Sequence, residues 1–222
     1  MSEPFLIFGH RGAPKRFKEN TLAGFEETIR TGADGFETDL RLLSDGTAVL
    51  FHDDELSESE IESLTFPQCT ERGALLERLS DLSRFAGRAT MVLEVKRAKW
   101  EEALLEVVSG WPDIVIASFD HSVVAALRAR GVTFPLGITF TGYIVDVADY
   151  ASRIGASWCF PNHRYVSVEM VDSLHDRGIK VIPWTPNRKR EWERLRDAGC
   201  DGVITDYPAE AVEWRAGLPS SP

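Results

Sequence analysis

Two carboxylates one step apart, Glu37 and Asp39, and a third with a cation two positions on, Glu94 and Lys96, are the residues of this chain best spaced to do chemistry. Side chains alternate across a strand, so a strand over 35–42 puts Phe36, Thr38, Leu40 and Leu42 on one face and Glu37, Asp39 and Arg41 on the other. A strand over 91–95 repeats the design, with Leu93 and Val95 facing one way and Glu94 and Lys96 the other. Buried carboxylates need a compensating cation. A divalent ion on oxygen ligands would serve, and an all-carboxylate set points to Mg²⁺ or Ca²⁺ over zinc. Salt bridges from Arg41 or Lys96 would serve equally, and spacing alone leaves both arrangements open.

Two histidines converge on the same place. His10 and Arg11 directly follow the apolar run Leu6–Gly9. Ser44-Asp45-Gly46-Thr47 carries the Asp-Gly signature of a two-residue hairpin turn, which makes paired positions sum to 91 and predicts His52 opposite Asp39. Imidazoles exchange protons near neutral pH, and each general acid or base contributes roughly 10²–10⁴-fold in rate. His121, His163 and His175 stand apart and are expected to be structural. The sequence has no His-x-His pair, Gly-x-Ser-x-Gly elbow or HExxH motif, which argues against amidohydrolase, serine-hydrolase and zincin chemistry. Trp184 closes an apolar run and is expected to wall the substrate. Arg11 and Lys96 suit phosphate oxygens, so phosphoester cleavage is the chemistry this set favours.

Glycines at 32, 131, 155, 178 and 199 each end an amphipathic stretch and precede a short apolar run, the pattern of a helix C-cap leading into a strand. Eight strands are predicted, over 6–9, 35–42, 91–95, 114–118, 136–139, 157–160, 180–184 and 202–205, each followed by a helical pattern. The helix over 75–85 comes late, after a polar, irregular stretch from Asp53 to Gly73. Eight such units in 222 residues predict an α/β fold, a compact (β/α)₈ TIM barrel below the ~250 residues typical of the class. It would be a single domain over 1–222 without a sizeable inserted subdomain, its tail over 217–222 frayed. A doubly wound sheet is the alternative, but Gly9-His10-Arg11-Gly12 lacks the dinucleotide-binding spacing. In a barrel, reacting groups sit at the carboxyl ends of the strands, where His10, Glu37, Asp39, Glu94 and Trp184 all fall.

A formal net charge of −10 and a preponderance of acidic residues, 35 against 25 basic, exclude a general nucleic-acid-binding role and disfavour stable association with an anionic membrane. No apolar run is long enough to span a bilayer, and residues 1–8 lack the basic start of a signal peptide. Cys69, Cys159 and Cys200 are odd in number and far apart. A cytoplasmic protein with reduced thiols, monomeric or homodimeric, is expected.

In order along the chain, Gly9-His10-Arg11-Gly12, Glu19-Asn20-Thr21, Gly32-Ala33-Asp34 leading to Glu37-x-Asp39, His52-Asp53, Glu94-Val95-Lys96, Ser118-Phe119, Trp184-Thr185-x-Asn187 and Gly202 to Pro208 resemble the glycerophosphodiester phosphodiesterase family. The set spans 9–208. The resemblance implies a (β/α)₈ barrel that hydrolyses a small-molecule glycerophosphodiester to glycerol 3-phosphate and an alcohol with a divalent metal. It implies Glu37, Asp39 and Glu94 as metal ligands, His10 and His52 as the acid–base pair, and Arg11 and Lys96 as phosphate contacts. One departure concerns the alcohol half: where the family usually has an Arg-Thr-Thr-like segment and a longer excursion after His52-Asp53, residues 54–63 here are acidic and short. Two competing functions keep the same residues, a lysophospholipase D-like cleavage of lysophospholipids and a barrel that binds phosphodiesters without turnover.

Overall fold

A computed structural model of the chain describes residues 4–218. The apolar runs become strands and the amphipathic stretches become helices. They follow in the order β1 (Leu6–Gly9), α1 (Leu22–Arg30), β2 (Gly35–Leu42), β3 (Ala48–Leu50), β4 (Glu55–Leu56), β5 (Ser59–Glu60), α2 (Phe66–Glu71), β6 (Thr90–Val95), α3 (Glu101–Val108), β7 (Ile114–Ser118), α4 (His121–Ala129), β8 (Leu136–Phe140), α5 (Val147–Ile154), β9 (Trp158–Pro161), α6 (Val168–His175), β10 (Lys180–Val181), α7 (Lys189–Asp197), β11 (Gly202–Thr205) and α8 (Pro208–Ala216). Local chemistry sets the boundaries. Thr21 caps α1 by accepting the Gly24 amide, and Gly155 ends α5 in the left-handed conformation at φ 81°.

The parallel strands run β10-β9-β8-β7-β6-β2-β1-β11. The two ends of this order meet at Trp184, which bridges Asn162 on one side and Ile204 on the other, both in parallel. The sheet therefore closes into the expected (β/α)₈ barrel, which a doubly wound sheet cannot do. Alternation sorts the side chains. Ile7, Phe36, Leu40, Leu93 and Val95 face the helices in the main core, where Phe25 stacks on Phe36 at 4.1 Å and Phe85 meets both edge-on. Phe8, Val92, Val115, Phe160, Ile182 and Ile204 fill the barrel interior, forming a dry floor beneath the polar mouth.

Four expectations are corrected. The strand predicted over 180–184 is continuous only at Lys180–Val181, because Pro183 has no amide hydrogen to donate, although Ile182 and Trp184 still donate to the Cys159 and Pro161 carbonyls at 2.9 and 3.0 Å. The β2–β3 hairpin pairs Leu40 with Leu50 and Arg41 with Val49, so positions sum to 90 and Asp39 faces Phe51, whose amide it accepts at 3.0 Å. The loop holds three residues, not two, with Gly46 at φ 83° supplying the left-handed position that such a loop requires. The helix predicted over 75–85 is a 3₁₀ turn at Leu79–Phe85, with Leu75 exposed. The stretch from Asp53 to Gly73 is ordered around a small cluster of its own, in which Ile61, Leu64 and Cys69 pack on Leu43 and Val49 from the hairpin. At the C-terminus, Gly217 and Leu218 are held by amide bonds to the last turn of α8, and the remainder of the predicted frayed tail lies outside the described residues.

Gly35 opens β2 with no room for a side chain, since an added Cβ would meet the Thr90 carbonyl oxygen of β6. That contact lies at the base of the β2–β6 ladder on which the mouth carboxylates stand. Gly35→Ala is expected to destabilise the protein by about 3 kcal/mol, read as a lowered urea midpoint; an unchanged midpoint would mean that the two strands separate freely there.

Candidate active site

The carboxyl ends of the strands enclose a cavity of about 140 Å³ lined by His10, Arg11, Glu37, Asp39, His52, Glu94, Lys96 and Trp184, together with Val92, Ala117, Phe119, Thr139, Phe160 and Ile204. All eight residues singled out in the sequence thus line one cavity. A wider cleft of about 700 Å³ at the other end of the barrel has Asp113 as its one ionisable lining residue, so the chemistry belongs to the smaller one.

Ladder register builds the acidic cluster. β2 and β6 pair Asp39 with Glu94 and Glu37 with Val92, so Glu37, Asp39 and Glu94 project together above the apolar floor. Each offers an oxygen within 4.8 Å of the others, and all three are buried. Lys96 bridges Asp39, at 2.6 Å, and Glu94. Arg11 Nε approaches Asp39 at 3.2 Å, and the Asn20 side-chain amide donates to Asp39 at 2.8 Å. Burial alone would raise the Asp39 pKa; Lys96, Arg11 and Asn20 outweigh it and hold it below the usual range. Among the described residues, the Glu37 carboxylate accepts one hydrogen bond, from the backbone amide of Arg11 at 3.0 Å. Arg11 turns that amide inward by adopting φ 53°, a costly conformation for a non-glycine residue. Burial, reinforced by the Asp39 charge, pushes Glu37 up to about 8. Lys96 is therefore the salt-bridge partner the spacing allowed, while Arg41 pairs elsewhere, with Asp54 and Glu62. One buried carboxylate remains short of a cation, and an all-oxygen set of this kind fits a hard divalent ion.

The histidines stand at the rim. His10 Nδ1 is 2.7 Å from Asp206, which also accepts from Asn187 at 2.9 Å and pairs with Lys15 at 3.2 Å. Burial opposes charge on His10, but the Asp206 hydrogen bond and the Glu37 charge outweigh it, so its pKa is raised. Burial likewise opposes charge on Asp206, yet the bond from His10 brings it down to about 2. His52 Nδ1 lies 2.8 Å from Asp53. In both rings it is Nδ1 that carries the carboxylate contact, and among the described residues Nε2 makes no hydrogen bond. Trp184 donates its indole N–H to the Phe160 carbonyl at 3.0 Å and meets Phe119 edge-on at 5.7 Å. The other histidines do not line the cavity: His121 bonds Tyr150 and the Thr139 carbonyl, His175 bonds Asp201, and His163 lies beyond its lining.

Asp206, Asn20 and Phe119 are the functional neighbours that candidate selection by sequence passed over. Asp206 and Phe119 stand directly after strand ends, where a barrel signals function, but the Asn20 contact depends on a loop path that spacing does not encode.

The model of the glycerophosphoryl diester phosphodiesterase family matches residues 10–61 and 71–210. A glycerophosphodiester phosphodiesterase of Caldanaerobacter subterraneus subsp. tengcongensis is 26% identical over 233 residues, covering 93% of this chain and 96% of that protein. Among solved structures, the glycerophosphodiester phosphodiesterase of Thermotoga maritima superposes with a TM-score of 0.84 at 24% identity, covering 96% of this chain and 99% of that one. A phosphodiesterase of Oleispira antarctica, solved in complex with the product sn-glycerol-3-phosphate, gives 0.85 at 22% identity, covering 96% and 97%.

Glu37 generates a pH dependence. Its carboxyl ionises near 4.5 when unperturbed and at about 8 in the folded, metal-free protein. A folded-state pKa raised in this way stabilises the fold below the unfolded value, and the contribution is lost as pH rises toward 8. The thermal midpoint of metal-free protein is expected to fall between about pH 5 and 8 from this group. Mg²⁺ or Ca²⁺, which needs the ionised carboxylates, should restore it most at the alkaline end. Scanning fluorimetry with and without the cation checks this; a cation-induced shift that shrinks with rising pH would remove the cluster as the binding site.

Proposed function

The chain belongs to the glycerophosphoryl diester phosphodiesterase family, and on that premise we propose that the whole barrel is one catalytic domain that hydrolyses glycerophosphodiesters to glycerol 3-phosphate and an alcohol. The observation that carries the proposal is the convergence of two imidazoles, two cations and three buried carboxylates on one small cavity. The named activity of the Caldanaerobacter relative and the product bound by the Oleispira phosphodiesterase support the substrate class.

Glu37, Asp39 and Glu94 would hold a divalent ion, Mg²⁺ or Ca²⁺, which when bound supplies Lewis-acid polarisation of a phosphoryl oxygen. Arg11 and Lys96 orient the phosphoryl group and stabilise the charge that grows on it. His10 and His52 divide the proton transfers: one accepts the proton of the attacking hydroxyl, the other donates a proton to the leaving alcohol oxygen. Asp206 and Asp53 fix the two rings through Nδ1, which leaves Nε2 of each for the reacting oxygens. Trp184 walls the opposite side. Three buried cysteines without disulfides accord with a cytoplasmic setting, and among the described residues no helix is long and apolar enough to cross a membrane.

A second substrate class is favoured by one observation. Phe119, 47% exposed, sits at the cavity edge against Trp184, and the next loop carries exposed Tyr143 and Val145. Such a rim would accept the acyl chain of a lysophospholipid.

Metal-stripped protein, with Mg²⁺ or Ca²⁺ added back, is expected to release glycerol 3-phosphate from glycerophosphocholine, -ethanolamine, -glycerol or -inositol. Folded, metal-loaded protein inactive on all four but cleaving lysophosphatidylcholine would transfer the assignment to the second class. Inactivity on every substrate would leave a binding barrel. His10→Ala and His52→Ala should each lower kcat by about 10²-fold or more with unchanged circular dichroism, and a wild-type rate would remove that residue from the reaction. Glu94→Gln should shift the metal titration to higher concentration; an unaltered curve would refute its assignment as a ligand.

A further inference from the structure

Arg41 shares the inward face of β2 with Glu37 and Asp39, yet nothing in the chemistry above uses it. Its side chain is only 3% exposed. Nη2 donates to the backbone carbonyl of His52 at 2.9 Å and to Asp54 at 2.7 Å, and Nη1 donates to Glu62 at 3.1 Å. Asp54 and Glu62 lie in the segment that departs from the family pattern, so its acidity has a partner. Arg97, just past Lys96, grips the same segment from outside, at 3.3 Å from Glu62 and 2.9 Å from Glu60.

The hairpin register gives this clamp its meaning. The β2–β3 ladder pairs end at Leu40 and Leu50, and the last amide bond runs from Phe51 to the Asp39 carbonyl. His52 is the next residue, beyond the ladder, and its carbonyl is held by a side chain where a strand partner would otherwise stand. We propose that Arg41 is a positioning residue for His52. Its guanidinium continues the sheet's restraint one residue past the last strand bond, and Asp54 and Glu62 fix the guanidinium in turn. A planar fork can meet three acceptors at once, which an ammonium on a flexible stem does less well. One strand thereby carries two cluster carboxylates and, two residues beyond Asp39, the clamp that aims the imidazole at the same cavity. The inference rests on the reading of His52 as an acid–base group.

A double-mutant cycle tests it, with kcat and KM measured at saturating metal for wild type, Arg41→Met, His52→Ala and the double variant, each checked by circular dichroism. Enzyme concentrations are set so that the residual His52→Ala rate is measurable. Arg41→Met is expected to lower kcat by about 10- to 100-fold while KM changes by less than about twofold. In the His52→Ala background the same substitution should cost nothing further, and Arg41→Lys should recover part of the rate. Losses that multiply in the double variant would overturn the positioning role while leaving that of His52 intact. A wild-type rate for His52→Ala would instead overturn the acid–base reading, and this proposal with it. Should Arg41→Met fail to fold, Glu62→Gln combined with Asp54→Asn replaces it in the cycle, with the same pattern expected and the same multiplication overturning it.

Discussion

Three carboxylates nearly cut off from water within 4.8 Å of one another repel strongly, and the mouth of this barrel is arranged around that repulsion. An uncompensated buried charge costs several kcal/mol even after relaxation. Asp39 meets the problem with Lys96, Arg11 and the Asn20 amide, whereas Glu37, with a backbone amide alone, meets it by retaining a proton up to about pH 8. The compensating groups come from two distant segments: Arg11 and Asn20 from the loop after β1, Lys96 from the end of β6. Only an order that sets β1, β2 and β6 side by side delivers them to one point. Strand order is thus a condition of the site's electrostatics as much as of its shape.

The same groups explain why the mouth suits a phosphodiester. Glu37, Asp39 and Glu94 stand against Lys96, Arg11 and a His10 whose pKa is raised, so the formal charges nearly cancel when all are ionised. The cations that keep the carboxylates apart are those assigned to the phosphoryl oxygens, held in place by contacts that exist before substrate arrives. Groups fixed in advance need no reorganisation when charge develops, which is where electrostatic catalysis gains most.

Much of this was legible in the residues. Period-two alternation in 35–42 and 91–95 separates the core-facing from the mouth-facing side chains, and the structure keeps that division at Phe36, Glu37, Asp39 and Leu40. Glycine-ended helices disclose the βα rhythm because the left-handed cap is a local requirement. What escaped was non-local or depended on a single count. The Asp45-Gly46 pair marks a turn correctly, but loop length decides whether partners sum to 91 or 90, and the dipeptide does not carry that length. Asn20 reaches the site through a long loop whose path spacing does not encode, and Arg41 could be seen on the right face without any sign of which acids it would meet.

Strand order also divides the mouth into unlike halves. Charged groups arrive on β1, β2, β6 and the segment after β3, whereas β7, β8 and β9 bring Ala117, Phe119, Thr139 and Phe160, with Trp184 closing the circle beyond β10. On the proposed reading, the phosphoryl group lies against the first half and the alcohol crosses to the second. The cavity, about 140 Å³, is far below the ~300–1,000 Å³ that enclose larger ligands. On that reading a bulky alcohol extends beyond the cavity, whose edge carries the exposed ring of Phe119. The acids of the segment after His52 are taken up by Arg41 and Arg97.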